Sequence, residues 1–207
     1  MSLEIRAQDT DVRKYLDGRM SHPGSQCLKD RWEEVREKIV DVVDGMHVWF
    51  LLAVLYFELV NSKKTPRKIK NTLDSLRLGP EAYSFAYDNA MERIQNQDED
   101  SRELTSKVLS WVIYAQKPLH IYILRFFLAM GPGDSKFDKE NVPSASDVVS
   151  VCAGLVTTDH ESRVVRLVHY TTEAYFAKTG SMWFPVANDY ITAVCTTYLS
   201  FKCLCDP

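Results

Sequence analysis

From Asp9 to Met130 the apolar residues recur three and four positions apart, and beyond Ser144 that helical period gives way to two short β-branched runs separated by a turn. This change of period constrains the fold most, because a chain patterned for helices over most of its length can form only a small sheet, which helices must cover. Asp9 or Thr10 can cap a first helix, to about Met20, that carries Val12, Tyr15 and Leu16. Pro23 and Gly24 interrupt the chain before a second, Lys29 to Asp44, with its stripe Trp32, Val35, Ile39 and Val42 or Val43. Gly45 suits a left-handed helix end, and the apolar window Met46 to Val60 makes a third helix. Thr65-Pro66, a capping residue before proline at the first helical position, opens a fourth bearing Ile69, Leu73 and Leu76. Gly79-Pro80 repeats that signal for a fifth, Pro80 to Ile94.

The acidic stretch Gln95 to Asp100 leads into a helix marked by Leu104, Val108, Trp111, Val112 and Ala115, which Pro118 stops before another from His120 to Met130. A polar loop, Gly131 to Ser144, precedes a short helix at Ser146 to Cys152. Leu155 to Thr158 and Val164 to Val168 then read as strands joined by the turn Asp159-His160-Glu161-Ser162, and helices at Thr171 to Lys178 and Ala187 to Phe201 follow. Three helices and then a hairpin is the order of a winged helix. The expected fold class is therefore mainly α, a helical-bundle domain followed by a winged-helix domain with a small β-hairpin wing.

A formal charge of -3 leaves no excess of Lys and Arg for a polyanion, so nucleic acid and acidic membranes are disfavoured as partners. Met46 to Val60 contains His47 and Glu58 and is too short to span a bilayer. Met1 to Thr10 has charges from Glu4 onward and no apolar core, unlike a secretory signal, and five scattered cysteines do not form a disulfide framework. Both point to a reducing, cytoplasmic setting. Met1-Ser2-Leu3, ahead of a start in mid-pattern, reads as the remnant of a chain cut from a longer protein.

Chemical motifs are sparse. Cys203 and Cys205 have no His or Cys cluster to complete a tetrahedral metal site. Gly131-Pro132-Gly133-Asp134-Ser135-Lys136 lacks both the spacing and the strand-to-helix context of a phosphate loop. There is no Gly-x-Ser-x-Gly elbow and no His-Glu-x-x-His helix. Cys152 and His169 as nucleophile and base lack an orienting acid. A winged-helix nucleic-acid-binding protein is the alternative function, but Ser146 to Cys152, where the recognition helix would lie, has no basic residue and the wing offers only Arg163 and Arg166.

Several segments resemble fungal NACHT proteins of the STAND class: Asp44-Gly45-Met46, Glu81 to Ile94, Val108-Leu109-Ser110-Trp111 and Lys117-Pro118-Leu119. The similarity is strongest in Val148 to Thr157 and in Arg166-Leu167-Val168-His169-Tyr170-Thr171-Thr172-Glu173-Ala174-Tyr175-Phe176, and continues through Trp183-Phe184-Pro185 and Thr197 to Phe201. The resemblance implies a helical domain over 1–78 and a winged-helix domain over 79–207, lying between a nucleotide-binding domain and a carboxy-terminal sensor, often ankyrin repeats. It implies a non-enzymatic regulatory arm: ADP holds such proteins closed, ATP opens them, and the open form oligomerises to signal, in fungi for non-self recognition or cell death. The fragment itself would carry no cofactor; ADP or ATP would be bound by the full-length protein, whose nucleotide-binding domain and repeat sensor are the expected partners. His47 stands where the pattern has a proline against the adenine. The winged-helix module is also named after a lipid-anchor deacylase, an activity that no hydrolase elbow supports here.

His169 has two readings. By residue type it is a half-buried histidine donating a ring proton to a backbone carbonyl where strand meets helix. The resemblance implies instead that it reaches the β-phosphate of ADP and holds the closed state.

Overall fold

The computed structural model describes residues 9–20, 26–44, 49–79 and 81–201, so His47, Cys203, Cys205 and Met1 to Leu3 lie outside the described residues. The described residues separate into two compact units, one up to Ala90 and one from Met91. The division falls within a helix, Glu81–Gln95.

The first unit contains α1 (Asp9–Arg19), α2 (Gln26–Lys29), α3 (Trp32–Val43), α4 (Trp49–Asn61) and α5 (Pro66–Ser75), followed by the start of α6 (Glu81–Gln95). Helix α4 is central because it is apolar on all sides: Leu52, Ala53, Leu55, Tyr56, Phe57 and Val60 are all at most 1% exposed. Each such large side chain contributes about 1.5–3 kcal/mol by leaving water. The Tyr56 hydroxyl stays satisfied by donating to the Arg77 carbonyl at 2.8 Å, while burial pushes the phenol up to about 12. No helix among the described residues is long and apolar enough to cross a membrane. Thr65 caps α5 as its sequence signal requires, accepting the Lys68 amide proton, and Ile69 and Leu73 face inward. The helix expected from Lys29 begins at Trp32, and a short helix, α2, not expected from the sequence, ends at Lys29. The chain turns at Asp30-Arg31, where the Arg31 N–H bonds back to the Leu28 carbonyl, and α3 starts at Trp32, whose indole donates to Asp17 at 3.0 Å.

In the second unit the remainder of α6 is followed by α7 (Glu99–Tyr114), β1 (Leu119–His120), α8 (Ile121–Leu128), α9 (Ala145–Ser150), β2 (Val156–Thr158), β3 (Val164–Leu167), α10 (Tyr170–Trp183) and α11 (Ala187–Ser200). The strands form an antiparallel sheet in the order β1-β3-β2, with Leu119 opposite Val165 and Thr157 opposite Arg166. The helices α7, α8 and α9 followed by the β2–β3 hairpin are the winged helix expected from the sequence.

β1 corrects one detail: His120, expected as the first residue of a helix, is extended and pairs with Val164 on the open edge of β3. Its ring then caps α8, Nδ1 accepting the Tyr122 amide proton at 3.3 Å. The hairpin is closed by Asp159, whose carboxylate accepts the Ser162 N–H and hydroxyl, both at 2.8 Å. Arg163 completes the turn at φ 56°. Val165 of β3 is buried, as are Val148, Cys152, Leu155, Val108 and Leu109 in the same unit, and Trp111 stacks on Phe127 at 4.7 Å.

Candidate functional site

His169 sits between β3 and α10, and the geometry of that junction settles its protonation. Val168 follows the last strand residue, Leu167, its N–H bonded to the Leu155 carbonyl at 3.0 Å. His169 is extended (φ −159°, ψ 157°), and its carbonyl receives the first helical bond, from Thr172 at 3.0 Å. This is an N-cap, and the imidazole takes the part usually played by Ser or Asp: Nδ1 accepts the Thr171 amide proton at 3.2 Å. A ring nitrogen that accepts an amide proton carries none itself, so the Thr171 hydroxyl, 3.0 Å away, is also a donor and the ring proton resides on Nε2. The expected donation to a backbone carbonyl is thus reversed.

Nε2–H has no protein partner among the described residues. Burial holds the imidazole below the ordinary histidine value, and the Glu173 carboxylate, one turn further on, partly opposes that. The Tyr170 ring, 63% exposed, lies 4.2 Å from the imidazole. The result is a neutral imidazole at the start of a 14-residue helix, with one N–H donor unspent where the helix dipole favours an anion. Thr171, Tyr170 and Glu173 were not singled out in the sequence as site residues. A Thr two positions after a His is too common a pair to announce a fixed tautomer.

The other sequence candidates are placed elsewhere. Cys152 is fully buried, donates weakly to the Val148 carbonyl at 3.3 Å, and has its thiol pKa raised by desolvation, so it is not a poised nucleophile. The amides of the Gly131 loop are already occupied: Gly131 N–H donates to Asp134 at 2.6 Å and Gly133 N–H to Thr197 at 2.8 Å. A carboxylate therefore fills the place a phosphate would take. In the wing Arg166 pairs with Asp159 at 2.7 Å, and the side chain of Arg125 in α8 donates to the Pro143 carbonyl at 2.6 Å. Among the described residues no group of His, Cys, Asp and Glu is arranged to hold a metal ion. A groove of about 520 Å³ runs between the end of α7, β3 and α10, bordered by Tyr114, Leu119, Leu167, Glu173 and Phe176.

Residues 91–183 match the family model of the winged-helix domain of GPI inositol-deacylase. The match covers the helices, the hairpin and α10, with His169 inside it. It concerns this domain alone. No curated protein and no solved structure matches the chain.

Proposed function

We propose that this chain is a non-catalytic regulatory arm of an ADP/ATP-switched signalling protein, in which His169 contacts the β-phosphate of ADP in the closed state. The observation that carries this reading is the unspent Nε2–H of a neutral His169 at the amino end of α10. A hydrogen bond from that donor to an anionic oxygen is charge-assisted, and a further phosphate at the same place would crowd or repel the closed arrangement. The winged-helix match supports the fold that the NACHT resemblance implies for this unit. The remaining nucleotide contacts, the phosphate cradle and the metal-binding carboxylate belong in this reading to a nucleotide-binding domain of the same protein. That domain and a repeat sensor are the partners, with self-assembly in the open, cytoplasmic form. The contact would bias the closed state by about 1–3 kcal/mol, the usual size of such couplings.

The winged-helix nucleic-acid reading has less support. Helix α9 carries Asp147 and no cation, while Arg125 and Arg166 are already engaged within the protein. A mobility-shift titration of the 207-residue chain on duplex DNA at low salt separates the two readings. We expect no sequence-specific retardation at sub-micromolar protein; retardation that α9 substitutions abolish would replace the switch reading with the nucleic-acid one.

A further inference from the structure

The formal charge of -3 conceals a strong local segregation. Between residues 63 and 77 stand Lys63, Lys64, Arg67, Lys68, Lys70 and Arg77 against the single carboxylate of Asp74. Among the other described residues of the same unit the arginines are paired: Arg13 with Glu37, Arg19 with Glu58, Arg31 with Glu34, and Arg36 with Asp17 and Glu33. Lys64, Arg67, Lys68, Lys70 and Arg77 are exposed residues and make no ion pair among the described residues.

Helix α5 arranges them. Ile69, Thr72 and Leu73 are buried, which turns Arg67 outward with Lys68 on one side and Lys70 on the other. The three cations lie within about 4.5 Å along the first half of the helix, and in sequence Lys64 precedes the helix while Arg77 follows it. Asp74 lies one turn beyond Lys70 without pairing to it, so the charge of the face stays positive. Directly after Arg77, Leu78 is 65% exposed.

We propose that this face docks on an anionic phospholipid surface, with the cations facing the headgroups and Leu78 entering the interface. This revises the expectation drawn from total charge, since a planar anionic surface responds to the local face and attracts each nearby Lys or Arg separately. The composition favours lipid over nucleic acid. The segment from 63 to 78 contains no aromatic residue on which a base could stack, four of its six cations are lysines that act as point charges, and its one exposed large apolar residue, Leu78, follows Arg77 directly in the chain. The proposal concerns the first unit and does not depend on the role of His169.

The test is co-sedimentation of the 207-residue chain with vesicles of phosphatidylcholine alone or with about a third phosphatidylserine, at about 0.1 M and about 0.5 M salt. Wild type should sediment with the phosphatidylserine vesicles at low salt only. The Arg67→Glu, Lys68→Glu, Lys70→Glu variant should lose well over about a hundred-fold in partitioning, since each charge is worth about five-fold and reversal changes the face by more than the three charges removed. The matching triple glutamine variant, which keeps the helix without reversing charge, should lose about a hundred-fold, less than the glutamate variant. Lys178→Glu, exposed in the second unit, should sediment like wild type. Failure of wild type to bind phosphatidylserine vesicles overturns the proposal. So does retention of binding in both triple variants, or a duplex-DNA shift through these residues without vesicle binding.

Discussion

Replacing His169 by alanine removes two functions at once, an acceptor that caps α10 and a donor on the opposite ring nitrogen, and asparagine separates them. The Asn carboxamide oxygen can accept the Thr171 amide proton that Nδ1 accepts now at 3.2 Å, but the side chain is too short to place a donor where Nε2–H lies. Loss of a capping acceptor costs about 1 kcal/mol within a range of about 0.5–2, and asparagine is among the best caps. In a chain of 207 residues His169→Ala should therefore lower the melting temperature by about 2–4 °C per kcal/mol, and His169→Asn should remain within about 1 °C of wild type. The pH dependence follows from the same geometry. Burial depresses the folded-state pKa, so between that value and the ordinary value near 6.5 the unfolded chain binds more protons. The contribution of His169 to stability is present above that window and is lost as pH falls through it; in both variants that step disappears. Thermal unfolding by circular dichroism from neutral to acidic pH, with ¹⁵N shifts of the imidazole, measures all of this. Equal melting temperatures for wild type and His169→Ala, or a ring protonated on Nδ1, would refute the reasoning.

Two further outcomes probe the second unit. A Cβ built on buried Gly180 falls 2.7 Å from the Tyr114 hydroxyl, so Gly180→Ala should destabilise by about 1–2 kcal/mol in wild type but become neutral or stabilising in a Tyr114→Phe background, where the clash is gone and only the helix preference for alanine remains. A double-mutant cycle by urea denaturation reads this, and equal effects in both backgrounds would show that the close approach does not matter. Iodoacetamide on the native chain should modify half-buried Cys27 and Cys195 well before buried Cys152, as followed by peptide mapping. Equal rates would contradict the burial of Cys152.

Much of this architecture was legible in the sequence because its signals are local and physical. Thr65-Pro66 starts α5 and Asp98 caps α7, accepting the Ser101 amide proton at 2.9 Å. The β-branched runs pair around Asp159 as the turn chemistry requires. β1 was not legible: two residues have no period, and Leu119-His120 becomes a strand only because β3 offers an unpaired edge. The break at Asp30-Arg31 was hidden because neither residue is Gly or Pro. His169 was legible as a position of interest, but its tautomer depends on hydrogen bonds to Thr171 that only the folded junction supplies. The basic face of α5 was missed for a different reason, since averaging charge over the chain erases the segregation that a partner surface would meet.

The central claim is the proposed nucleotide contact, and ADP release measures it most directly, in a protein that joins this chain to the nucleotide-binding domain the proposal calls for and is loaded with labelled ADP. The account predicts that His169→Ala and His169→Asn both release ADP about 5–150-fold faster than wild type, corresponding to the coupling of about 1–3 kcal/mol, although only the alanine variant is less stable. Wild-type release from His169→Asn, which preserves the cap and removes the donor, would contradict the claim and leave His169 as the cap of α10 alone.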